Sequence, residues 1–170
     1  MIGYDKLALN HQILLDLPFR EATGLITHDV AKPHHIASLA GHAPVWGEIA
    51  LSGLGVLEFG AGLNRYLEIP AADTVDLDFT GDFTLATWIY PVYTALAMII
   101  MCRNTTGEGI VGCGWCMYLY NNLLFTPSTL LSLRTNQVGS RTECYAAGFP
   151  DSEWQLVGFS RDSAGLTATC

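Results

Sequence analysis

The sequence predicts an all-β fold, a two-sheet antiparallel sandwich. Short segments with strand-like alternation recur along the 170-residue chain, whereas helical periodicity is almost absent. Turn-forming segments such as Thr80-Gly81-Asp82 and Asn121-Asn122 separate these segments, and 17 glycines and 7 prolines suit many turns better than a helix bundle. A series of short strands between turns is typical of an antiparallel sandwich or barrel.

The strand predictions follow from apolar and β-branched residues that alternate with polar ones. The best helical candidate, residues 36–40, is too short to be a stable helix by itself. In chain order, the predicted strands lie near residues 13–17, 56–59, 66–69, 83–90, 97–103, 115–120, 130–135, 143–147, 154–161 and 166–170.

Two uncharged stretches are long enough to be considered as membrane spans, residues 83–102 and 109–133. Pro91 interrupts the first stretch, and glycine, asparagine and proline residues divide the second into pieces of strand length. Residues 83–102 are therefore predicted to be two strands joined by a turn centred on Pro91. No membrane span is predicted.

Several strands are predicted to be apolar on both faces. In residues 83–90, Phe83, Leu85 and Ile89 share one face, while Trp88 and Tyr90 lie on the other together with an alanine. A two-layer sandwich buries one face of each sheet, so such a strand needs a second cover. Loops or a neighbouring subunit are the two candidates for that cover.

The composition points to contact with other proteins rather than with nucleic acid. Only 14% of the residues are charged, against a usual share of about 25%. A chain this apolar is not disordered, and a net charge of −8 would repel a polyanion. Because few charged residues are present to cover a monomer, we expect part of the surface to be buried against other subunits.

Several segments, taken in order, resemble laminin-G-like, concanavalin A-like jelly-roll domains. The most specific match is residues 77–89, Leu-Asp-Phe-Thr-Gly-Asp-Phe-Thr-Leu-Ala-Thr-Trp-Ile. Residues 14–24, 27–46, 57–70, 114–120 and 154–162 resemble further parts of the family's pattern. The resemblance implies a single jelly-roll domain over residues 1–170, with residues 1–12 as an N-terminal arm. It also implies the family's role as extracellular glycan- and protein-binding modules.

Three departures from the family weaken the transfer of its calcium site. Asn64-Arg65 stand where the family often has acidic residues, Ala86 replaces a strand acid, and residues 30–35 replace a Ser-Gly-Asn-Gly loop. No metal or cofactor is therefore predicted, and calcium is implied by the resemblance alone. In the family, further strands follow one like residues 166–170, so we expect an incomplete copy that lacks roughly 40 to 60 residues.

The five cysteines and the histidine cluster are predicted to be structural. Cys113-Gly114-Trp115-Cys116 lies on a predicted strand, where residues three apart point to opposite faces, so a redox pair is disfavoured. Buried apolar cysteines are the favoured interpretation, with a zinc site that includes Cys102 and Cys144 as an alternative. The histidines are predicted to lie in a solvated loop, with a metal site as the alternative; they are His28, His34, His35 and His42.

No pattern for catalysis is found. Glycan hydrolases of this fold carry Glu-x-Asp-x-x-Glu on a strand, and no glutamate here has an aspartate two residues later. Asp76 and Asp78 are predicted to be solvated turn residues. No nucleophile elbow, P-loop or dinucleotide fingerprint occurs, so the chain is predicted not to be an enzyme.

One candidate ligand site remains, formed by Tyr118, Tyr120, Asn121 and Asn122. Glycans stack on aromatic rings and hydrogen bond to amides. The alternative interpretation is that the tyrosines fill a face of the sandwich and the asparagines make a turn.

The sequence thus predicts a non-enzymatic module. We expect a virion-associated, phage-like decoration or adhesion protein that also binds glycan. A secreted bacterial lectin-like domain and a glycan hydrolase of the same fold are the alternatives. No signal peptide is visible, and the predicted location is the virion or the cell exterior.

Overall fold

The chain divides into two compact units, Met1–Leu77 and Asp78–Cys170. The fold is that of a computed structural model. It describes residues 12–49, 52–60, 65–79, 81–92, 97–104, 113–121, 129–137, 140–147, 150–162 and 165–169.

The described residues of the first unit form five short strands in two antiparallel sheets. β1, β2 and β5 form one sheet in the order β1-β2-β5, while β3 and β4 pair as a separate hairpin. Two single-turn 3-10 helices follow at Ala71–Asp73 and Val75–Leu77. The strands are β1 (Ile26–His28), β2 (Ile36–Gly41), β3 (Val45–Ile49), β4 (Leu54–Glu58) and β5 (Arg65–Glu68).

Residues 36–40, a segment too short for a stable helix, form part of strand β2, which is not among the predicted strands. Ala37 and Leu39 are buried while Ile36 and Ser38 are exposed, which is the period of a strand. Backbone pairing with β1 on one side and β5 on the other determines the conformation. Local helix propensity in so short a segment is weak against two ladders of hydrogen bonds.

Where the structure describes the second unit, it has seven strands in two antiparallel sheets. One sheet has the order β10-β9-β8-β7 and the other has the order β12-β11-β6. The strands are β6 (Phe83–Ile89), β7 (Ala97–Asn104), β8 (Cys113–Asn121), β9 (Thr129–Gln137), β10 (Ser140–Ala147), β11 (Gln155–Asp162) and β12 (Gly165–Thr169).

The core of the second unit draws side chains from both of its sheets. Met117 and Leu119 of β8 and Leu131 of β9 cluster with Val157 and Phe159 of β11. Partly buried residues of β6, among them Phe83 and Leu85, pack against the same cluster. The two sheets therefore share one apolar interior, in the manner of a sandwich.

Strand β8 is covered on both of its faces. Met117 and Leu119 belong to the core cluster, while Cys116 and Tyr118 are buried on the opposite face. Strand β6 differs, because its inner positions are partly buried and its outer positions are exposed. The apolar outer face that the sequence predicts for residues 83–90 therefore remains exposed at Trp88 and Tyr90.

The prediction of an all-β antiparallel fold is confirmed, and the described residues contain no α-helix. Residues 83–102 do contain two strands, but β6 and β7 belong to different sheets rather than to one hairpin. Pro91, in the connection between them, is fully buried. Within the described ranges, no helix has the length and apolar character needed to cross a membrane. A closed jelly-roll topology stays a prediction.

Candidate functional site

The predicted tyrosine–asparagine site falls on strand β8 and on the segment after it. Tyr118 is only 6% exposed, and a ring so well covered presents no face on which a sugar can stack. The alternative interpretation, a tyrosine that fills a sheet face, fits this burial. Tyr120 and Asn121 are the last residues of β8, and Asn122 lies outside the described residues.

Three aromatic side chains and one leucine are exposed on the outer face of β6 and β11 or directly beyond the ends of these strands. We define the aromatic surface as Trp88, Tyr90, Trp154 and Leu156. Their exposed fractions are 63%, 48%, 40% and 49% respectively. Single exposed apolar residues are ordinary, but four that lie together form a patch of the kind that marks interaction sites.

The pairing of β6 with β11 brings these four side chains together. Trp88 lies directly opposite Leu156 in the register. Tyr90 and Trp154 continue the same alternation just beyond the paired strands, and their ring centroids are 5.6 Å apart at an interplanar angle of 60°. The surface is therefore made of two adjacent cross-strand pairs on one face of the sheet.

The residues beside the aromatic surface on the same face are small. Gly158 lies opposite Ala86, and Ser160 lies opposite Thr84. At the other end, the Ser152 N–H donates a hydrogen bond of 2.8 Å to the Pro91 carbonyl, which links the two segments that carry Trp154 and Tyr90. Small residues therefore border the aromatic rings at one end, and the hydrogen bond between Ser152 and Pro91 borders them at the other.

The charge near the aromatic surface is acidic. Asp151 and Glu153 are exposed and lie directly before Trp154 in the chain. Arg161, a cation on β11, falls on the alternation of Val157 and Phe159, which face the core. The outer face itself carries no lysine or arginine within the described parts of β6 and β11.

A second cluster, in the first unit, is a buried network of Asp29, His35 and Asp76. Asp29 Oδ2 lies 2.8 Å from His35 Nδ1, and Asp76 Oδ1 lies 3.2 Å from His35 Nε2. The side chains of Asp29 and His35 are 0% and 4% exposed, whereas that of Asp76 is 36% exposed. Burial by itself lowers the pKa of His35, but the hydrogen bonds to Asp29 and Asp76 outweigh it and raise this pKa above 6.5.

Asp29 also organises the loop that leads into β2. Its Oδ1 accepts the N–H groups of Asp16 and Ala31 at 2.8 Å each, and its Oδ2 accepts the His35 N–H at 3.2 Å. The carboxylate thus satisfies backbone donors that would otherwise be buried without a partner. Residues 13–17 are predicted as a strand but form none, and Asp16 is held by this side chain and by the Val30 N–H at 2.9 Å.

The histidine prediction is partly overturned by this network. His34 and His42 are exposed, as expected of a solvated loop, and His28 is exposed at the end of strand β1 instead, but His35 is buried. Asp76 is also not a purely solvated turn residue, because it binds His35. No three His, Cys, Asp or Glu side chains converge as a metal site in the part of the chain that the structure describes.

The hydrogen bonds of His35 differ from those of a catalytic histidine. A catalytic histidine accepts a proton from a nucleophile at one ring nitrogen while a carboxylate orients the other. In His35 a carboxylate contacts each nitrogen, so neither nitrogen faces a nucleophile. This arrangement holds the imidazole ring in place between two carboxyl groups.

A cleft of about 450 Å³ lies between the segment before β1 and the β3–β4 hairpin in the first unit. Arg20 and Glu48 are the charged residues of its lining, and Gly47 and Gly55 are among the small ones. The lining contains no serine, cysteine or histidine. Among the described residues of the lining, Glu48 is the only carboxylate, so the pair of carboxylates that glycan hydrolases use is not found there.

Comparisons of the chain with protein-family models, with curated proteins and with solved structures found no match. The resemblance to laminin-G-like domains therefore stays a prediction drawn from the residues quoted above.

Sequence reasoning locates half of the aromatic surface. The alternation in residues 83–90 shows that Trp88 and Tyr90 share a face, and the same alternation is present in residues 154–161. What the sequence does not reveal is that β6 and β11 are neighbours, because the pairing joins segments far apart in the chain.

Proposed function

We propose that the chain is a non-enzymatic binding module that binds glycan through the aromatic surface. The observation that carries this proposal is the exposure of Trp88, Tyr90 and Trp154 together on one sheet face. Sugar rings have apolar C–H faces that pack on aromatic rings, and hydroxyl groups that need polar partners at the edges. Ser160 and Thr84, on the same face, supply hydroxyl groups of that kind.

The ligand we propose is a neutral glycan chain rather than an acidic or a crystalline one. The exposed Asp151 and Glu153 beside Trp154 and the net charge of −8 repel uronic-acid and sulfated chains. Tyr90 and Trp154 are tilted by 60°, so the two rings cannot both lie flat on one planar crystal face. A flexible chain can follow rings of different tilt.

We propose the exterior of a virion as the setting, in a decoration or adhesion role. A secreted lectin-like domain is the alternative setting, and the same surface would serve both. The low share of charged residues, 14%, supports a module that also contacts other subunits.

The proposal is tested by affinity electrophoresis and calorimetry on soluble neutral polysaccharides, with uronic-acid polysaccharides and crystalline cellulose as comparisons. Trp88→Ala and Trp154→Ala are expected to weaken binding about tenfold each, since loss of an aromatic contact is worth about 1 kcal/mol or more. Tyr66→Ala is the matched control, because it removes an exposed aromatic ring from β5 of the first unit.

Two results would contradict the proposal. One is the absence of binding to every glycan tested, and the other is binding that both tryptophan variants retain in full. If light scattering instead shows an oligomer that Trp88→Ala converts to a monomer, the aromatic surface is a subunit contact.

A further inference from the structure

Two cysteines lie directly opposite each other on neighbouring strands of the second unit. Cys102 of β7 is the register partner of Cys116 of β8 in an antiparallel pair. Directly opposed residues in such pairs have Cα atoms about 4.5 or 5.5 Å apart and side chains on the same face. Both distances fall within the range of about 4.4 to 6.8 Å that a disulfide needs.

The two thiols differ in accessibility. Cys102 is exposed and lies on β7, an edge strand of its sheet, whereas Cys116 lies on the inner strand β8 and is fully buried. Register shifts interrupt the β7–β8 ladder between Ile99 and Met101 and between Arg103 and Asn104. The cysteine pair therefore lies in a short regular stretch of the ladder between two irregularities.

The remaining cysteines of the described strands are placed less well for a bond to Cys116. Cys113 is three residues away from Cys116 on the same strand, where a rise of about 3.4 Å per residue puts their Cα atoms about 10 Å apart. Cys144 lies on β10, which β9 separates from β8, and two strand spacings amount to about 9.5 Å. That separation exceeds the limit of about 7 Å for bridging without backbone movement.

We propose that Cys102 and Cys116 form a reversible cross-strand disulfide, with Cys102 as the attacking thiol and Cys116 as the resolving thiol. The oxidant is a small-molecule disulfide such as oxidised glutathione. The Cys102 thiolate attacks one sulfur of this disulfide, which releases one thiol and leaves a mixed disulfide on Cys102. The Cys116 thiolate then attacks the Cys102 sulfur and releases the second thiol. The protein loses two electrons and two protons, and the oxidant gains them.

The bond would tie the edge strand β7 to β8. It would close a loop that contains residues 103–115 and restrict the unfolded chain, so the oxidised protein is expected to be more resistant to heat. In a reducing compartment the thiols persist, and after transfer to an oxidising one the bond forms. The redox state of the compartment would thus determine whether β7 is covalently bonded to β8.

The test is equilibration of the folded protein with mixtures of reduced and oxidised glutathione, followed by alkylation and tryptic peptide mapping. Cleavage after Arg103 separates Cys102 from a peptide, residues 104–134, that holds both Cys113 and Cys116. The mapping is therefore also run on Cys113→Ser, in which a link between the two peptides must involve Cys116. The expected result is this link in the wild type and in Cys113→Ser and Cys144→Ser, with a melting temperature about 5 °C higher than that of the reduced protein.

Cys102→Ser is expected to abolish both the link and the rise in melting temperature. Because Cys102 is exposed, this variant is expected to fold, whereas Cys116→Ser places a hydroxyl in a buried position. The proposal is overturned if both cysteines remain fully alkylated in oxidised glutathione, if Cys102 stops at the mixed disulfide, or if the link in wild type disappears in Cys113→Ser.

Discussion

Asp29 is a single carboxylate that serves two purposes in the first unit. Its two oxygens accept backbone N–H groups from three residues, and one of them also contacts the ring of His35. Hydrogen bonds to a charged group are stronger than neutral ones, and their loss leaves the donors buried without a partner. The loop between β1 and β2 is therefore fixed in part by the hydrogen bonds of this residue.

We predict that Asp29→Asn lowers the free energy of unfolding by about 3 kcal/mol. The amide keeps the shape of the side chain but loses its charge, and its NH₂ group would face N–H donors. Urea denaturation followed by circular dichroism measures the change. Asp73→Asn, the same substitution at an exposed position, is the control and is expected to change stability by less than about 0.5 kcal/mol. Equal effects in the two variants would contradict the importance of the network.

His35 gives the first unit a dependence on pH. Because its pKa is raised above 6.5 in the folded chain, its stabilising contribution is complete below 6.5 and is lost as the pH rises through the folded value. We therefore predict that the free energy of unfolding falls as the pH rises from 6.5 through the folded pKa of His35. His35→Gln removes the titrating group and should flatten this slope, whereas His42→Gln, at an exposed position, should retain it.

Glu21 gives stability the opposite dependence on pH, at lower pH than His35 does. Burial raises the pKa of Glu21, but the His28 N–H, the Thr27 hydroxyl and the His28 ring outweigh that effect and lower it below 4.5. Its contribution to stability is present above 4.5 and is lost as the pH falls through the folded value. The slope assigned to His35 is therefore to be measured well above the range in which Glu21 titrates.

At the scale of strands, the close approach of β6 and β11 depends on Gly158. A Cβ at this position would lie 2.8 Å from the carbonyl oxygen of Leu85 and 3.5 Å from the Cβ of Ala86. Backbone atoms cannot move aside as a flexible side chain can, so any larger residue pushes the two strands apart. The pairing of Trp88 with Leu156 therefore depends on the lack of a side chain at Gly158.

We predict that Gly158→Ala destabilises the chain by about 1 to 3 kcal/mol and weakens glycan binding. Gly81→Ala is the matched control, because a Cβ at Gly81 meets nothing within 4 Å. Thermal unfolding and calorimetry measure the two effects. A Gly158→Ala variant with the stability and the affinity of Gly81→Ala would show that the strands tolerate the added methyl group.

Local pattern predicts the strands of the second unit better than those of the first. Phe83–Ile89 and Gln155–Asp162 alternate large apolar residues with others, and this signal survives without tertiary context. In the first unit, β2 combines Ile36 and Leu39 with small residues, and Gly47 interrupts β3, so neither strand has a strong pattern of large apolar residues. Residues 13–17 have the pattern but lack a strand partner, since Asp29 takes up the Asp16 N–H.

The candidate sites also show that local sequence pattern does not reveal long-range strand pairing. The sequence places Trp88 and Tyr90 on one face, yet Trp154 and Leu156 join them only through long-range pairing. Tyr118 has the same local alternation as Trp88 but lies on a strand that is buried on both faces. Exposure is therefore a property of the sheet arrangement, which a single segment does not determine.

At the scale of the whole molecule, β8 is an inner strand of the second unit, and its residues 115–119 are all buried. It is hydrogen bonded to β7 on one edge and to β9 on the other, and both of its faces are covered. Amide protons in such a strand reach solvent only when the surrounding structure opens as a unit. Deuterium labelling is therefore expected to reach Met117 and Leu119 last, long after the amides of the shorter edge strand β12. Their protection factors would report the global free energy of unfolding, and amides of β8 that exchange as fast as those of β12 would contradict the expected protection of β8.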